Sequence, residues 1–422
     1  MTNRILIGTL AVLTAACGGG DAPGTGEASV RDSAGIQIVE NSGPAHAEGE
    51  GWLLSAEPTF EVGGDETNPV YDLGQVTGAT RLRDGSVAVA NAATSEVRFY
   101  NPDGSHRITS GRSGAGPGEF QMIVGMWRTP ADSLVVLDMA IQRLSVLSPA
   151  GQYSHSFSLG GMGGGMVPGA DGSISMAIPA GMFDDGSLVG MANSFRIGDT
   201  REGSFRDPMP LVRYGPDGAI RDTVATVPGQ EMEMMTLSFG EQSIAVPTPV
   251  SLGKQTIVAA RADKLYLAVN DSWEIEARDP DGTIRRLIRL VAPVRPLTAD
   301  LIARHRVEQL ELVNNQPMVS QAPQQIRDQV TERVNSAPYP ATLPFVALML
   351  VDDEGYLWAQ EVPVPGELRQ KWGVFDLAGR LQAWVRMPER FRPTAIGSDW
   401  VVGIWQDEND VEHVRVYGLT RG

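Results

Sequence analysis

Six polar residues recur along this sequence, each at the end of a short apolar run, and their side chains carry the oxygen atoms that hard cations prefer. The runs are rich in Val, Leu, Ile and Trp and are short enough to be β-strands. The six residues, in chain order, are Asn91, Asp138, Asn193, Asn270, Glu361 and Asp407. Three carboxamides and three carboxylates gathered at one place could hold Ca²⁺ or orient a polar ligand. The same residue types also cap β-hairpins by bonding to their own backbone, so the sequence leaves both interpretations open.

The apolar runs belong to an internal repeat, which indicates the elements that position the six polar residues. An Asp-Gly-Ser turn or a near relative precedes each run, and a second turn such as "NPDG" (101–104), "GPDG" (215–218) or "DPDG" (279–282) follows most of them. Pro fixes one backbone angle of such a turn and Gly supplies a positive one. Each unit is therefore predicted to contain four antiparallel strands, A to D, with the first turn joining A to B and the second joining C to D.

Six four-stranded units predict an all-β fold, a six-bladed β-propeller. The sixth unit lacks a strand D, whereas "PTFEVGG" (58–64) is a strand without a unit of its own. We expect this N-terminal strand to complete the last blade and close the ring, because closure removes exposed sheet edges. "AGIQIVEN" (34–41) is expected to add a short strand outside. In antiparallel blades the B–C and D–A connections share one end, so we expect the six polar residues on one face.

The glycine-rich loop "GRSGAGPGEF" (111–120) allows two interpretations, a loop that cradles phosphate or a junction between two blades. The spacing of the repeat favours the junction, with Phe120 filling the gap between the blades. The pattern resembles the NHL repeat and, more closely, the six-bladed β-propeller lipoproteins of bacteria. The resemblance covers about residues 55–422 and is specific in this blade, where it is carried by Gly114, Gly116, Pro117, Gly118, Glu119, Phe120, Asp138 and Arg143.

Two stretches interrupt the repeat. Residues 193–208 lengthen the B–C connection of the third unit. A larger insertion, about residues 296–338, is predicted to form a helical hairpin, because apolar residues recur there at helical spacing. The predicted apolar face of its first helix consists of Ala303, Val307, Leu310 and Val313. Such a hairpin either covers an edge or a face of a blade or forms a lid over a binding site.

The N-terminus has the layout of an export signal, with Arg4 followed by an apolar run and small residues. "LTAAC" (13–17) resembles the lipobox of bacterial lipoproteins, although Thr14 stands where Leu is usual. The resemblance implies removal of residues 1–16 and attachment of lipid to Cys17, the one cysteine of the sequence. An ordinary secretory signal is the alternative. Residues 17–33 are predicted to be a flexible tether and 34–422 the propeller.

The expected location follows from the same segment. By resemblance to sorted lipoproteins of double-membraned bacteria, Gly18 after the cysteine implies the outer membrane, on its periplasmic side or at the cell surface. We therefore expect a membrane partner through the lipid. A formal net charge of −17 argues against a nucleic-acid partner, because phosphates need a basic surface.

The sequence contains few candidates for catalytic residues. The sequence contains no Gly-x-Ser-x-Gly elbow and no complete P-loop, and its five histidines are dispersed. Tryptophans, among them Trp358, Trp372 and Trp400, cluster toward the C-terminus and serve either recognition or packing between blades. We predict a monomeric scaffold without a cofactor that binds protein, peptide or glycan and is not an enzyme. The alternative is a calcium-dependent hydrolase or lyase at the central channel, an arrangement similar to that of propeller lactonases.

Overall fold

The computed structural model describes residues 26–160, 166–168, 174–195, 201, 203–239, 242–315 and 317–422. Cys17, the predicted signal and the first part of the predicted tether lie outside these ranges. Within them the fold is mostly β, with six separate sheets and one helical segment. No helix in the described part of the chain is long and apolar enough to cross a membrane.

The strands are numbered in chain order. Four of them precede the repeat: β1 (Ala28–Ser33), β2 (Ile36–Asn41), β3 (Leu53–Leu54) and β4 (Phe60–Gly63). Sheet 1 contains β5 (Val76–Arg81), β6 (Val87–Asn91), β7 (Glu96–Tyr100) and β8 (His106–Ser110). Sheet 2 contains β9 (Ile123–Arg128), β10 (Leu134–Asp138), β11 (Arg143–Leu147) and β12 (Tyr153–Ser158). Sheet 3 contains β13 (Met166–Pro168), β14 (Ile174–Met182), β15 (Leu188–Phe195), β16 (Ser204–Tyr214), β17 (Ile220–Phe239) and β18 (Gln242–Pro249).

The second half of the chain forms the other three sheets. Sheet 4 is built on β19 (Ile257–Arg261), β20 (Lys264–Ala268), β21 (Glu274–Arg278) and β22 (Ile284–Leu290). Sheet 5 contains β23 (Val346–Val351), β24 (Leu357–Glu361), β25 (Lys371–Phe375) and β26 (Leu381–Arg386). Sheet 6 is built on β27 (Phe391–Ile396), β28 (Trp400–Gln406) and β29 (Glu412–Thr420). In sheets 1 to 5 the strand order and both turns match the predicted A-to-D pattern, and in sheet 6 the order of strands A to C and the A–B turn match it.

The Asp-Gly-Ser turns form for a local reason. The Asp84 carboxylate accepts a hydrogen bond from the Ser86 backbone amide at 3.0 Å, and Asp185 accepts one from the Ser187 amide at 2.9 Å. Gly85, which lies between Asp84 and Ser86, has a φ of 84°, which a residue with a side chain rarely adopts. The turn that joins strands A and B is therefore encoded by three consecutive residues.

The N-terminal strands attach to sheets that lie far along the chain. β4 pairs antiparallel with β29, so that Val62 lies opposite Val414. β2 lies parallel to β22 at the edge of sheet 4, which confirms the predicted extra strand at 34–41. Between these two pairings, the backbone amides of Ala45 and His46 donate hydrogen bonds to β26 of sheet 5. Residues 36–63 thus cross the outer edges of sheets 4, 5 and 6 in turn.

Each hydrophobic core is shared by two sheets. Because side chains alternate across a strand, Val401 packs against sheet 5 while Val402 packs against sheet 1. This burial on both faces explains why the strand B runs are continuously apolar. Six cores lie between successive sheets, and one buried residue from each sheet represents each core. They are Phe99 and Val136 (sheets 1 and 2), Leu137 and Leu188 (2 and 3), Leu211 and Leu267 (3 and 4), Ile275 and Phe375 (4 and 5), Trp372 and Val401 (5 and 6), and Val402 and Val89 (6 and 1). Trp358, Trp372 and Trp400 are all buried, so they serve packing.

Sheet 3 is longer than the repeat predicts. β15 continues to Phe195 and β17 runs for 20 residues to Phe239, where it pairs with β18. The dipeptide Pro228–Gly229 would ordinarily indicate a turn. Here Pro228 lies opposite Pro208 at a register shift of the β16–β17 pair, and its carbonyl accepts a hydrogen bond from Thr256 Oγ1 at 2.6 Å. The third unit is therefore lengthened by a β-hairpin as well as by its B–C connection.

The insertion is helical, as predicted, and contains α1 (Ala299–Asn314), α2 (Pro317–Ser320) and α3 (Gln324–Ser336). The predicted apolar face of α1 is wrong, because Val307 is 56% exposed and no described residue of α1 or α3 is buried. α1 packs instead through Leu301 and Ile302, at its first turn. The reason lies in the stem, where backbone hydrogen bonds from Leu297 to Ala341 bring the start of α1, rather than its middle, against the sheets.

Candidate functional site

The six polar residues lie at the ends of strand B in six different sheets, and three of them are buried. Asp138 accepts hydrogen bonds from the backbone amides of Gln121 at 2.7 Å and Met122 at 3.2 Å. Asn91 accepts one from the Gly74 amide at 3.0 Å. Asn270 accepts one from the Val346 amide at 2.8 Å and donates to the Val346 carbonyl. These side chains hold the loops that lead into the A strands, and their oxygen atoms are engaged in doing so.

The other three polar residues have unrelated surroundings. Asn193 is exposed. Glu361 forms ion pairs with Arg295 and Lys371, each at 3.3 Å. Asp407 accepts hydrogen bonds from two amides of its own turn, and these bonds lower the pKa of its carboxyl.

A shared cation site finds no support among these contacts. In the ranges that the structure describes, no group of three or more His, Cys, Asp or Glu side chains is arranged to hold a metal ion. The calcium site therefore stays a prediction.

The glycine-rich loop forms a junction between sheets 1 and 2. Phe120 is fully buried in the core that these sheets share. Arg143 donates to the carbonyls of Ala115 at 2.9 Å and Gly116 at 3.0 Å, while Glu119 accepts a hydrogen bond from the Gly116 amide at 2.8 Å. The polar groups of the loop are thus bonded within it, in agreement with a junction rather than a phosphate cradle.

At the A–B end of the sheets, turns of sheets 1 to 5 surround a cleft of about 500 Å³, which we call the A–B cleft. Several charged side chains at this cleft pair with one another, whereas Arg83 and Asp184 make no ion pair with any residue that the structure describes. Arg128 donates to Asp132 at 2.9 Å and also to Asp353, and Arg261 donates to the same Asp353 carboxylate. Asp353 therefore joins sheets 2, 4 and 5 through one carboxylate.

A second carboxylate beside the A–B cleft is completely buried. Asp352 accepts hydrogen bonds from the Tyr356 amide, from Trp358 Nε1 and from Arg421, each at 2.9 Å. Burial raises the pKa of Asp352, while the hydrogen bonds and the Arg421 charge act in the opposite direction. Arg421 also pairs with Glu354 at 3.0 Å. These contacts fix the end of the chain on sheet 5.

At the opposite, B–C end, a cleft of about 720 Å³ lies between α1 and loops of sheets 4, 5 and 6. We call it the α1 cleft. Its principal lining residues are His305, Glu308, Glu311 and Leu312 of α1, Asn270 of sheet 4, residues 362–368 of sheet 5, and Arg390, Glu408 and Asp410 of sheet 6. The insertion therefore roofs a cavity rather than the edge of a sheet.

The carboxylates of the α1 cleft are mostly unpaired. Glu308, Glu311 and Glu408 make no ion pair or side-chain hydrogen bond with any residue that the structure describes. Asp410 lies 3.7 Å from Arg390, and Glu367 lies 3.5 Å from Arg386. The cleft thus carries three negative charges that no residue in the described ranges neutralises.

Two leucines add apolar surface to the α1 cleft. Leu312 is 61% exposed and Leu368 is 62% exposed. Among the described lining residues there is no Trp, Tyr or Phe. The cleft therefore combines aliphatic and anionic groups, without aromatic rings on which a sugar could stack.

Contacts of His305 and Arg306 with Tyr339 hold α1, the roof of the α1 cleft, in place. His305 Nδ1 lies 2.9 Å from Tyr339 Oη, and the Arg306 guanidinium stacks 5.4 Å from the centre of the same ring. Burial lowers the pKa of His305, so its imidazole is neutral at pH 7. The last turn of α1, which carries Leu312, contains no buried residue.

Sequence reasoning missed both clefts. The acidic runs "VEQLELV" (307–313) and "QDENDVE" (406–412) were the available signal for the α1 cleft. Runs of this kind are usually solvated surface, and nothing local indicates that two of them, about 100 residues apart, face each other.

The structure was compared with known proteins. No protein-family model matches the chain, and no curated protein matches it in sequence. Among solved structures, a member of the DUF4221 family from Bacteroides vulgatus has 10% identity and a TM-score of 0.47, covering 88% of this chain and 99% of its own. A virginiamycin B lyase from Staphylococcus aureus has 10% identity and a TM-score of 0.37, covering 87% and 99%. A calcium-binding protein, regucalcin, from Agrobacterium tumefaciens has 9% identity and a TM-score of 0.37, covering 88% and 95%. The resemblance to the NHL repeat family stays a prediction.

Proposed function

We propose that this protein is an exported, lipid-anchored binding scaffold and that the α1 cleft is its binding site for a protein or peptide. The observation that carries the proposal is that three carboxylates without partners among the described residues and two exposed leucines line the α1 cleft. Exposed apolar groups rimmed by polar ones mark interaction sites on soluble proteins. The volume of the cleft lies in the range of known ligand sites.

The scaffold itself is proposed to be a closed six-bladed β-propeller. Two observations support closure: every pair of successive sheets shares a core, and the pair of sheets 6 and 1 does so as well. The pairing of β4 with β29 supplies the last sheet with a strand from the start of the chain. Closure of this kind makes a rigid platform, because no sheet is left with an unsupported face.

Anchoring through Cys17 and sorting to the outer membrane belong to the same proposal. The Cys17→Ser variant tests them. We expect the wild-type chain in the membrane fraction and the variant in the soluble fraction, with mass spectrometry locating the lipid on Cys17 of the wild type. Release of both chains in equal amounts would contradict lipid anchoring. It would not test the assignment of the binding site to the α1 cleft.

Photo-crosslinking tests the binding site itself. A photoreactive amino acid replaces Leu312 in the α1 cleft or Leu377 in the A–B cleft, two leucines that are 61% and 62% exposed. In cells that produce the protein, we expect a discrete crosslinked product from position 312 and none from position 377. Equal labelling from both positions, or labelling from 377 alone, would contradict the proposal.

A further inference from the structure

We infer that the α1 cleft recognises a cationic segment of polypeptide that also carries aliphatic side chains. The inference rests on the proposed binding function of this cleft and adds the chemistry of its occupant. It follows from three separate properties of the lining, namely its charge, its apolar surface and the last turn of α1.

The charge of the lining favours a cation. Glu308 and Glu311 on α1 face the cleft together with Glu408 of sheet 6. Arg390 is the one Lys or Arg among the described lining residues, and Asp410 already lies 3.7 Å from it. Carboxylates held near one another without counter-charges repel, and an incoming Lys or Arg relieves that repulsion. Electrostatic complementarity of this kind selects partners and speeds their association.

The last turn of α1 strengthens the same preference. Glu311 and Leu312 of this turn line the cleft, and the turn contains no basic residue. Because the C-terminus of a helix carries a partial negative charge, the helix dipole adds to the field of the carboxylates. Both α1 and the loops of the sheets that line the cleft therefore favour a cation.

The apolar groups distinguish a peptide from a free ion or a polyamine. Leu312 on the roof and Leu368 on the loop of sheet 5 both line the cleft and are more than half exposed. Burying aliphatic side chains against them stabilises a complex by about 25 cal/mol per Å² of surface removed from water. A membrane with anionic headgroups is disfavoured, because the same carboxylates repel it.

Fluorescence anisotropy with synthetic peptides tests this inference. The protein is the full chain carrying Cys17→Ser, and the probe is a short labelled peptide of alternating Lys and Leu. Peptides of alternating Glu and Leu and of alternating Lys and Ser serve as comparisons. We expect the Lys/Leu peptide to bind about tenfold or more tightly than either, and to lose affinity as the salt concentration rises from about 50 mM to about 300 mM.

Charge removal at the cleft supplies the matched control. The triple variant E308Q/E311Q/E408Q is expected to weaken binding of the Lys/Leu peptide about tenfold, from three exposed charge pairs. The control variant E50Q/E57Q/E66Q changes the net charge equally at exposed glutamates outside the cleft and is expected to bind as the wild type does. Equal weakening in both variants would show that net charge alone governs binding and would overturn the inference.

Failure of the inference is distinguishable from failure of the proposed function. If position 312 crosslinks to a partner but the Lys/Leu peptide binds no better than the Glu/Leu peptide, the cleft binds a different chemistry and the inference is wrong. If neither experiment detects binding at the cleft, the proposed function is wrong as well. Binding to anionic phospholipid vesicles that the triple variant strengthens would also overturn the inference, because it would identify a membrane surface as the occupant.

Discussion

The A–B cleft and the α1 cleft lie at opposite ends of the same sheets, and they differ in whether their carboxylates are paired with arginines. In the A–B cleft, Asp353 accepts hydrogen bonds from Arg128 and Arg261, and Asp352 is buried against Arg421. In the α1 cleft, Glu308 and Glu408 have no partner among the described residues. Both clefts are similar in kind, since turns or loops of several sheets line each of them.

The difference separates charges that stabilise the fold from charges that are available to a ligand. A carboxylate with its own arginine gains little from an incoming cation, because it would have to exchange one partner for another. An unpaired carboxylate has no such competition. Cavity volume alone does not make this distinction, so charge pairing is the better guide to which cleft binds.

The largest expected effect is at Asp352. The Asp352→Ala variant leaves Trp358 Nε1, Arg421 and two backbone amides without their acceptor, and we expect it to lower the free energy of unfolding by about 4 kcal/mol. Glu354 pairs with the same Arg421 but is 47% exposed, so Glu354→Ala is expected to cost less than about 1 kcal/mol. Urea unfolding measures both. Similar losses in the two variants would mean that burial of Asp352 has no special weight.

The next effect compares one carboxylate from each cleft. Asp353→Ala leaves Arg261 and one side of Arg128 unpaired, and we expect a loss of about 2 kcal/mol in the free energy of unfolding. Glu408→Ala removes a carboxylate without an ion pair in the described structure and is expected to change stability by no more than about 0.5 kcal/mol. A Glu408→Ala variant as unstable as Asp353→Ala would erase the proposed distinction between the clefts.

A smaller effect is expected from removing the roof. Replacing residues 299–338 by a short Gly-Ser linker keeps the stem, in which Pro296 pairs with Thr342. Because no described residue of α1 or α3 is buried, we expect the free energy of unfolding to change by about 1 kcal/mol or less. In the wild type, amides of α1 should exchange with solvent faster than those of β6. Loss of cooperative folding on this deletion would show that the insertion is part of the core.

The smallest effect is the pH dependence of the roof. Burial lowers the pKa of His305 below its ordinary value of 6.5, whereas the charge of Glu308 acts in the opposite direction. Because the unfolded or undocked helix takes up the proton more readily, the contribution of His305 to docking is present above about pH 6.5 and is lost as the pH falls. NMR titration of His305 should give a midpoint below 6.5, with faster exchange of α1 amides in acid. A midpoint at 6.5 would show that the ring is solvated, and a midpoint above 6.5 would show that the charge of Glu308 outweighs burial.

The predictable parts of this molecule are those whose cause lies within a few residues. The Asp84–Ser86 turn, the continuous apolar strands and Phe120 at the junction are local patterns, and the structure contains them where the repeat indicates. The face of α1 was not predictable, because the stem at Leu297 decides which turn meets the sheets. The α1 cleft was not predictable either, since Glu308, Leu368 and Glu408 meet only through the arrangement of sheets 5 and 6.

The most direct test of this account measures crosslinking from position 312 in three chains at a temperature where all are folded: the wild type, Asp353→Asn and E308Q/E311Q/E408Q. We predict that Asp353→Asn loses stability and keeps the crosslink, whereas the triple variant keeps stability and loses it. A crosslink that survives neutralisation of the three glutamates would contradict the role of their charge in binding. A crosslink that disappears in Asp353→Asn would contradict the assignment of Asp353 to stability alone.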